Sequence, residues 1–109
     1  MPGKAAKIVI TERQHEILSA LRDAVTAPSH LRRRAAVILA AFDGARNEDI
    51  AGEVGLGRRQ VGRWRRRWAT AWDRLTELEC RETKADLRRA IEATLADEPR
   101  PGEIGRAHV

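Results

Sequence analysis

The sequence predicts an all-α fold, and three observations carry that expectation. Apolar residues recur at spacings of three and four along most of the chain. Helix-start and helix-stop residues fall between these apolar stripes. No segment alternates with period two for long, and Lys7 to Ile10, though suited to an extended run, is too short to build a sheet.

The elements follow in order. Thr11-Glu12-Arg13-Gln14 fits a capping box with Thr11 as N-cap and Gln14 at its third helical position. Ile17, Leu18, Leu21 and Val25 then share one face, so the first helix is expected to reach about Thr26. Pro28 and Ser29 restart the chain, and Leu31, Ala35, Ile38, Leu39 and Phe42 form the next stripe. Asp43-Gly44 ends it, with Gly44 suited to a left-handed C-terminal turn. Asn47 is the expected N-cap of a short third helix that has Glu48 and Asp49 in its first turn and stops at Gly55. A fourth helix begins near Arg58, with Val61, Trp64, Trp68, Trp72 and Leu75 along one face. Thr83 to Asp86 resembles another helix start, followed by Leu87, Ile91 and Leu95 at intervals of four. Pro99, Pro101 and Gly102 stop that helix and read as a linker.

Composition narrows the class. With 109 residues there is room for one domain, or one domain with a tail. The 21 Lys+Arg exceed the 16 Asp+Glu, giving a formal charge of +5. A basic balance favours nucleic acid or an anionic surface. The charge is unevenly placed: Val54 to Trp72 holds six Arg and no acid, whereas Asp73 to Glu98 holds eight acids against five bases. No apolar run approaches the roughly 18–20 residues of a membrane span, and Met1 to Ile10 lacks the apolar region of a secretory signal. The single Cys80 excludes an internal disulfide framework and a multi-cysteine zinc site. His15, His30 and His108 show no ligand spacing. No cofactor, metal, membrane or small-molecule substrate is expected, and the chain reads as cytoplasmic.

Asn47 to Trp64 carries the main functional signal. A helix-turn-helix needs a small residue where its two helices approach, and Ala51 fits. It needs a turn residue able to take positive φ four positions later, and Gly55 fits. Ile50, Val54, Leu56, Val61 and Trp64 supply the apolar contacts. On a helical wheel, Val61, Trp64, Trp68 and Trp72 cluster within about 80°, so they read as core and not as a base-stacking platform. Arg59, Arg63 and Arg66 point the other way, with Gly62 beside them, where it would let the helix sit close to a groove. Such a polar face suits the major groove of duplex DNA, with the N-terminal residues nearest the base edges. Arg pairs bidentately with guanine and Gln with adenine. Arg58, Arg59, Gln60 and Arg63 are therefore the base-reading candidates. Arg65, Arg66, Arg67 and the trio Arg32, Arg33 and Arg34 are the phosphate candidates. The bland alternative for these arginines is a solvated helix face.

Arg58-Arg59-Gln60-Val61-Gly62-Arg63-Trp64-Arg65-Arg66-Arg67-Trp68 resembles the recognition-helix signature of mariner-related bacterial insertion-sequence transposases. Ser29 to Ala41 is similar to the preceding helix of that family, and Leu95 to Gly102 to its linker. The resemblance implies a homeodomain-like region that binds the terminal inverted repeats of the element. In that family a second helix-turn-helix and a metal-dependent ribonuclease H-like domain follow. Gly57 departs from the usual Ser or Thr cap, a change that weakens the cap only slightly. The resemblance also implies a minor-groove track for Arg100-Pro101-Gly102, with a plain linker as the alternative. Glu103 to Val109 breaks from the family and can be encoded by GAG ATC GGA AGA GCA CAC GTC, which looks like the start of a sequencing adapter, so a non-native tail on a truncated transposase is expected.

The expected organisation is a flexible arm over residues 1–10, a helix-turn-helix domain over 11–79, a trailing helix over 80–98, and a linker with the tail over 99–109. The expected activity is sequence-specific binding of double-stranded DNA, with no catalysis by this chain and a nucleoid location in the bacterial cell. Two alternatives stand beside it. One is a stand-alone transcriptional regulator, which needs a homodimer to read a two-fold site. The other is a protein-interaction module that docks a partner helix on Trp68, Trp72, Leu75, Leu87, Ile91 and Leu95.

Overall fold

The computed structural model describes residues 7–96. Within them five helices run in order: α1 (Glu12–Asp23), α2 (Ser29–Phe42), α3 (Asn47–Val54), α4 (Arg58–Arg81) and α5 (Lys84–Ala96). No strand forms among the described residues. None of the described helices is long and apolar enough to cross a membrane.

α1 begins with the expected capping box: Gln14 N–H donates to Thr11 Oγ1, and Thr11 N–H donates to Gln14 Oε1, both at 3.1 Å. It ends at Asp23, three residues before the expected limit, because Ala24 turns extended (ψ 104°). Ala27 precedes Pro28, whose ring disfavours helical geometry at that residue. Val25 consequently leaves the apolar face and is 80% exposed. Phe42, the last residue of the α2 stripe, is 43% exposed, and its ring meets that of His15 edge-on, with centroids 6.0 Å apart. Gly44 takes the left-handed conformation (φ 96°) that the turn after α2 requires. α3 starts one residue earlier than a cap at Asn47 would allow. Arg46 is the N-cap, through its carbonyl's bond to Ile50 N–H, and Asn47 is the first helical residue.

α4 is the spine. Val61, Trp64, Trp68 and Leu75 are buried along one side of it. They share one core with Ile17, Leu18 and Leu21 of α1, Ala35, Ile38 and Leu39 of α2, Ile50 of α3, and Leu87, Ile91 and Leu95 of α5. The Trp stripe is core, as expected from its position opposite the exposed arginines, although Trp72 is only half-buried.

Three organisational expectations are corrected. Residues 7–10 are not a flexible arm: Ile8 and Ile10 are buried, and Trp68 Nε1–H donates to Val9 O at 3.1 Å. That bond satisfies the indole of a side chain with no exposure at all. The boundary at 79/80 falls inside α4, which runs to Arg81. Nor does α5 trail. Its N-terminus is capped by Thr83, whose Oγ1 accepts from Asp86 N–H, and Lys84 Nζ pairs with Glu16 of α1 at 3.1 Å. Leu87, Ile91 and Leu95 are fully buried within this chain, as are Leu75 and Trp68. The face expected to dock a partner helix is thus occupied intramolecularly. The linker and tail expected over 99–109, and the minor-groove stretch within them, lie outside the described residues.

Because α5 shares the core, Ile91→Ala is expected to lower global stability by about 2–5 kcal/mol, the usual cost of a truncated core aliphatic. Urea denaturation followed by circular dichroism and by Trp fluorescence checks this. One shared, shifted transition is expected; a separate early transition of helix content with unshifted fluorescence would show α5 to be an independent appendage.

Candidate nucleic-acid interface

The turn between α3 and α4 has the geometry its residues predict. Gly55 closes α3 with φ 76°, a left-handed value that costs a non-glycine residue about 1–2 kcal/mol. Its N–H and that of Leu56 both donate to Ala51 O, at 3.0 and 3.3 Å, which tightens the chain reversal. Ile50 and Val61 are fully buried on either side of the turn. They fix how α4 is rolled against α3, and hence which of its side chains face outward.

The start of α4 is built against helix electrostatics. α1, α3 and α5 each carry acid in their first turns. α4 carries none and has Arg58 and Arg59 there instead, at the positive end of the helix dipole. Gly57 has no side chain to cap the helix, and only Gln60 reaches back, its Oε1 accepting from Gly57 N–H at 3.3 Å. Each misplaced cation costs about 0.3–1 kcal/mol at such a terminus. The local arrangement therefore suits an external anion better than it suits the isolated helix.

The structure sorts the ten candidate side chains into groups. Arg59, Arg63 and Arg66 are exposed, and none forms an ion pair or hydrogen bond with another described side chain. Arg58 is exposed and lies 3.7 Å from Glu48. Gln60 is exposed, but its carbonyl oxygen is engaged at Gly57, leaving its NH2 group outward. Arg33 is exposed on α2, while Arg32 is half-buried and donates from Nε to Arg22 O at the end of α1.

Three of the phosphate candidates turn inward, a correction to the sequence expectation. Arg65 is only 6% exposed and donates to Ala45 O at 3.0 Å, tying α4 to the α2–α3 turn. Burial pushes its pKa down, yet a guanidinium stays charged at neutral pH. Arg34 places its guanidinium 4.2 Å from the Trp64 ring centroid and donates to Leu95 O at 2.6 Å. Arg67 lies 5.8 Å from the same ring and donates to Thr94 O at 2.8 Å. These two cations thus meet the carbonyl end of α5, where the helix dipole favours them. Arg34 thereby fastens α5 to α2, and Arg67 fastens it to α4.

An open groove of about 810 Å³ lies between the α2–α3 turn and the first half of α4. Arg46, Asn47 and Glu48 line one side, and Arg58, Arg59, Gly62, Arg65 and Arg66 the other. Gly62 is buried at the floor, not outward beside Arg63 as the wheel placed it. A methyl group there would meet Asn47 Nδ2 and Arg66 Nη1 at 3.4 Å, close to ordinary van der Waals contact with two side-chain ends. Sequence reasoning missed Arg46 and Glu48 as members of this surface. Their residue types gave no signal, because only the folded turn brings them opposite Arg58.

The family model described as a homeodomain-like domain matches residues 28–72, which span α2, α3 and the first fifteen residues of α4. No curated protein and no solved structure matches the chain. The fold is an all-α bundle with a homeodomain-like helix-turn-helix at its centre, and that match supports DNA binding in general. α1 and α5 lie outside the matched segment and brace it from either side.

The inward and outward arginines should behave differently. Arg65→Ala strips the Ala45 carbonyl of a buried donor and is expected to destabilise the fold by about 1–3 kcal/mol. Arg66→Ala is expected to stay within about 0.5 kcal/mol of the parent. Urea denaturation of both variants checks the distinction, and equal stability would place Arg65 among the dispensable surface charges.

Proposed function

We propose that this chain binds duplex DNA sequence-specifically by laying the first half of α4 in the major groove. The observation that carries the reading is the exposed arginine face of α4 at a helix start with neither acid nor cap. Within it, Arg59 and Arg63 read base edges, helped by Arg58 and by the outward NH2 of Gln60. Arg66 on α4, with Arg33 and Arg32 on α2, takes phosphates. Arg34, Arg65 and Arg67 support the surface from behind and leave the contact set. The homeodomain-like match supports DNA binding in general. The resemblance of Ser29–Ala41 and Arg58–Trp68 to mariner-related transposases supports a finer reading, in which the chain is the terminal-repeat-binding part of a truncated transposase. The metal-dependent catalysis of such an enzyme would then belong to sequence outside this chain, and the location would be the bacterial nucleoid.

Fluorescence anisotropy with labelled duplexes tests the proposal. Log affinity should fall linearly with log salt, with a slope of about −0.9 for each neutralised phosphate. About six contacts would give a loss of roughly 10³-fold between 50 and 200 mM salt. A flat salt response would remove the electrostatic basis of the reading. Arg59→Ala and Arg63→Ala are each expected to cost about 1–3 kcal/mol on a preferred sequence and to relax preference. Equal loss on every sequence would make them phosphate contacts. Arg59→Glu sharpens the separation of function from fold. It places acid where the helix dipole favours it, so stability should hold or rise by about 0.3–1 kcal/mol while DNA binding is lost.

A further inference from the structure

The groove beside α4 holds five arginines and a single carboxylate, that of Glu48. Glu48 Oε1 lies 3.7 Å from Arg58 Nη1, and its Oε2 lies 3.9 Å from Arg46 Nη2. One carboxylate thus bridges the last residue before α3 and the first residue of α4. All three side chains are largely exposed, so the pairs add little to folding. Their placement matters more than their strength. They lie on the surface that faces DNA under the reading above.

A carboxylate on such a surface is repelled by every phosphate, whatever the sequence. It also changes what Arg58 can do. A guanidinium has five N–H donors, and a carboxylate beside Nη1 neutralises the charge without using all of them. An arginine paired in this way is a weakened point charge for a phosphate, but it remains a directional donor for the N7 and O6 acceptors of guanine. The carboxylate also limits where the arginine can swing.

We propose that Glu48 is a specificity-determining residue. By holding Arg46 and Arg58 as ion pairs in the groove, it suppresses their attraction to phosphate on any sequence and keeps Arg58 directed toward a base edge. The inference rests on the proposed DNA-binding function. It assigns to an acidic residue the task of making the wrong sequences bind less well.

Asp49 provides a matched control. It too is an acid in the first turn of α3, and it pairs with Arg46 at 3.6 Å, but it does not line the groove. Glu48→Gln and Asp49→Asn remove the same charge from the same helix turn. Both sites are exposed, so both variants should fold, which circular dichroism verifies. The full chain is used to select a preferred duplex from a random library. Anisotropy then measures each variant on that duplex and on a scrambled duplex of equal length and composition, well below every melting temperature.

Glu48→Gln is expected to bind the scrambled duplex about 3–10-fold more tightly than the parent, through the release of Arg58 and the loss of the carboxylate's own repulsion of phosphate, while Arg46 keeps its pair with Asp49. Its salt slope should steepen by about 1, the signature of one added phosphate contact. On the preferred duplex the gain should be smaller, so that discrimination falls at least about 3-fold. Asp49→Asn should change either affinity by less than about 2-fold. Equal gains on both duplexes for Glu48→Gln, or the same behaviour from Asp49→Asn, would overturn the assignment and leave only a net-charge effect. A parent that binds DNA without preference would overturn it as well while leaving DNA binding intact. A parent that binds no duplex would remove the proposed function itself.

Discussion

The exposed arginine face of α4 depends on the rotation of that helix about its own axis, and that rotation is set by the burial of Val61, Trp64 and Trp68. A helix turns about 100° per residue, so a slip of one position would carry Arg59 and Arg63 toward the core and expose an indole. Trp68 prevents the slip most firmly. It has no exposed surface, and its single donor is held by the carbonyl of Val9. An alternative rotation would have to bury that N–H unpaired or expose the largest apolar side chain in the core. The short N-terminal segment therefore acts on a helix nearly sixty residues away in sequence, through one hydrogen bond and two buried isoleucines.

The same logic explains why α5 belongs to the same folded unit although it lies outside the homeodomain-like match. A three-helix motif of about 45 residues buries little surface by itself. Here the back of α4 would be left uncovered beyond Trp64. α5 covers it with Leu87, Ile91 and Leu95, and Arg34 and Arg67 clasp its carbonyl end beside Trp64. On the other flank, Thr11 Oγ1 donates to Glu79 at 2.8 Å and ties the start of α1 to the last third of α4. α4 is thus braced at several points along the side opposite its exposed arginines.

The helices were legible in the sequence because each stripe had its own punctuation. The Thr11 capping box, Gly44, Gly55 and the Thr83 start all lie where their chemistry implies. The errors came where periodicity outran the punctuation. Val25 continues the spacing of Leu21, but Pro28 forces the preceding chain out of the helix, so the apolar residue ends in solvent. Asn47 looks like a cap by residue type, yet the first helical carbonyl bond comes from Arg46. The candidate surface was half legible. Wheel geometry separated Arg59, Arg63 and Arg66 from the tryptophans. It set Arg65 and Arg67 on the two flanks but had no means of telling where a flank side chain would end. Whether a flank arginine faces solvent or a neighbouring carbonyl depends on what packs beside the helix. The Ala45 carbonyl in the α2–α3 turn and the Thr94 carbonyl at the end of α5 are placed by tertiary structure alone.

That division changes how an arginine-rich segment of this kind should be understood. Six arginines between Arg58 and Arg67 invite a count of charges, with each added to the field that DNA feels. Two of the six are spent holding the turn before α3 and the end of α5, and a third is partly neutralised by Glu48. What remains outward is a narrow row: Arg59, Arg63 and Arg66, spaced by four and three residues along one side of a helix. Such a row spans about 10 Å at 1.5 Å per residue, roughly three base-pair steps. A broad field would hold any duplex strongly, whereas a short aligned set of forks rewards only the acceptors that match it. Burying some arginines and pairing another thus trades gross affinity for direction. The same residue type serves the core and the surface because its long apolar stem packs while its fork reaches a carbonyl or an acceptor outside.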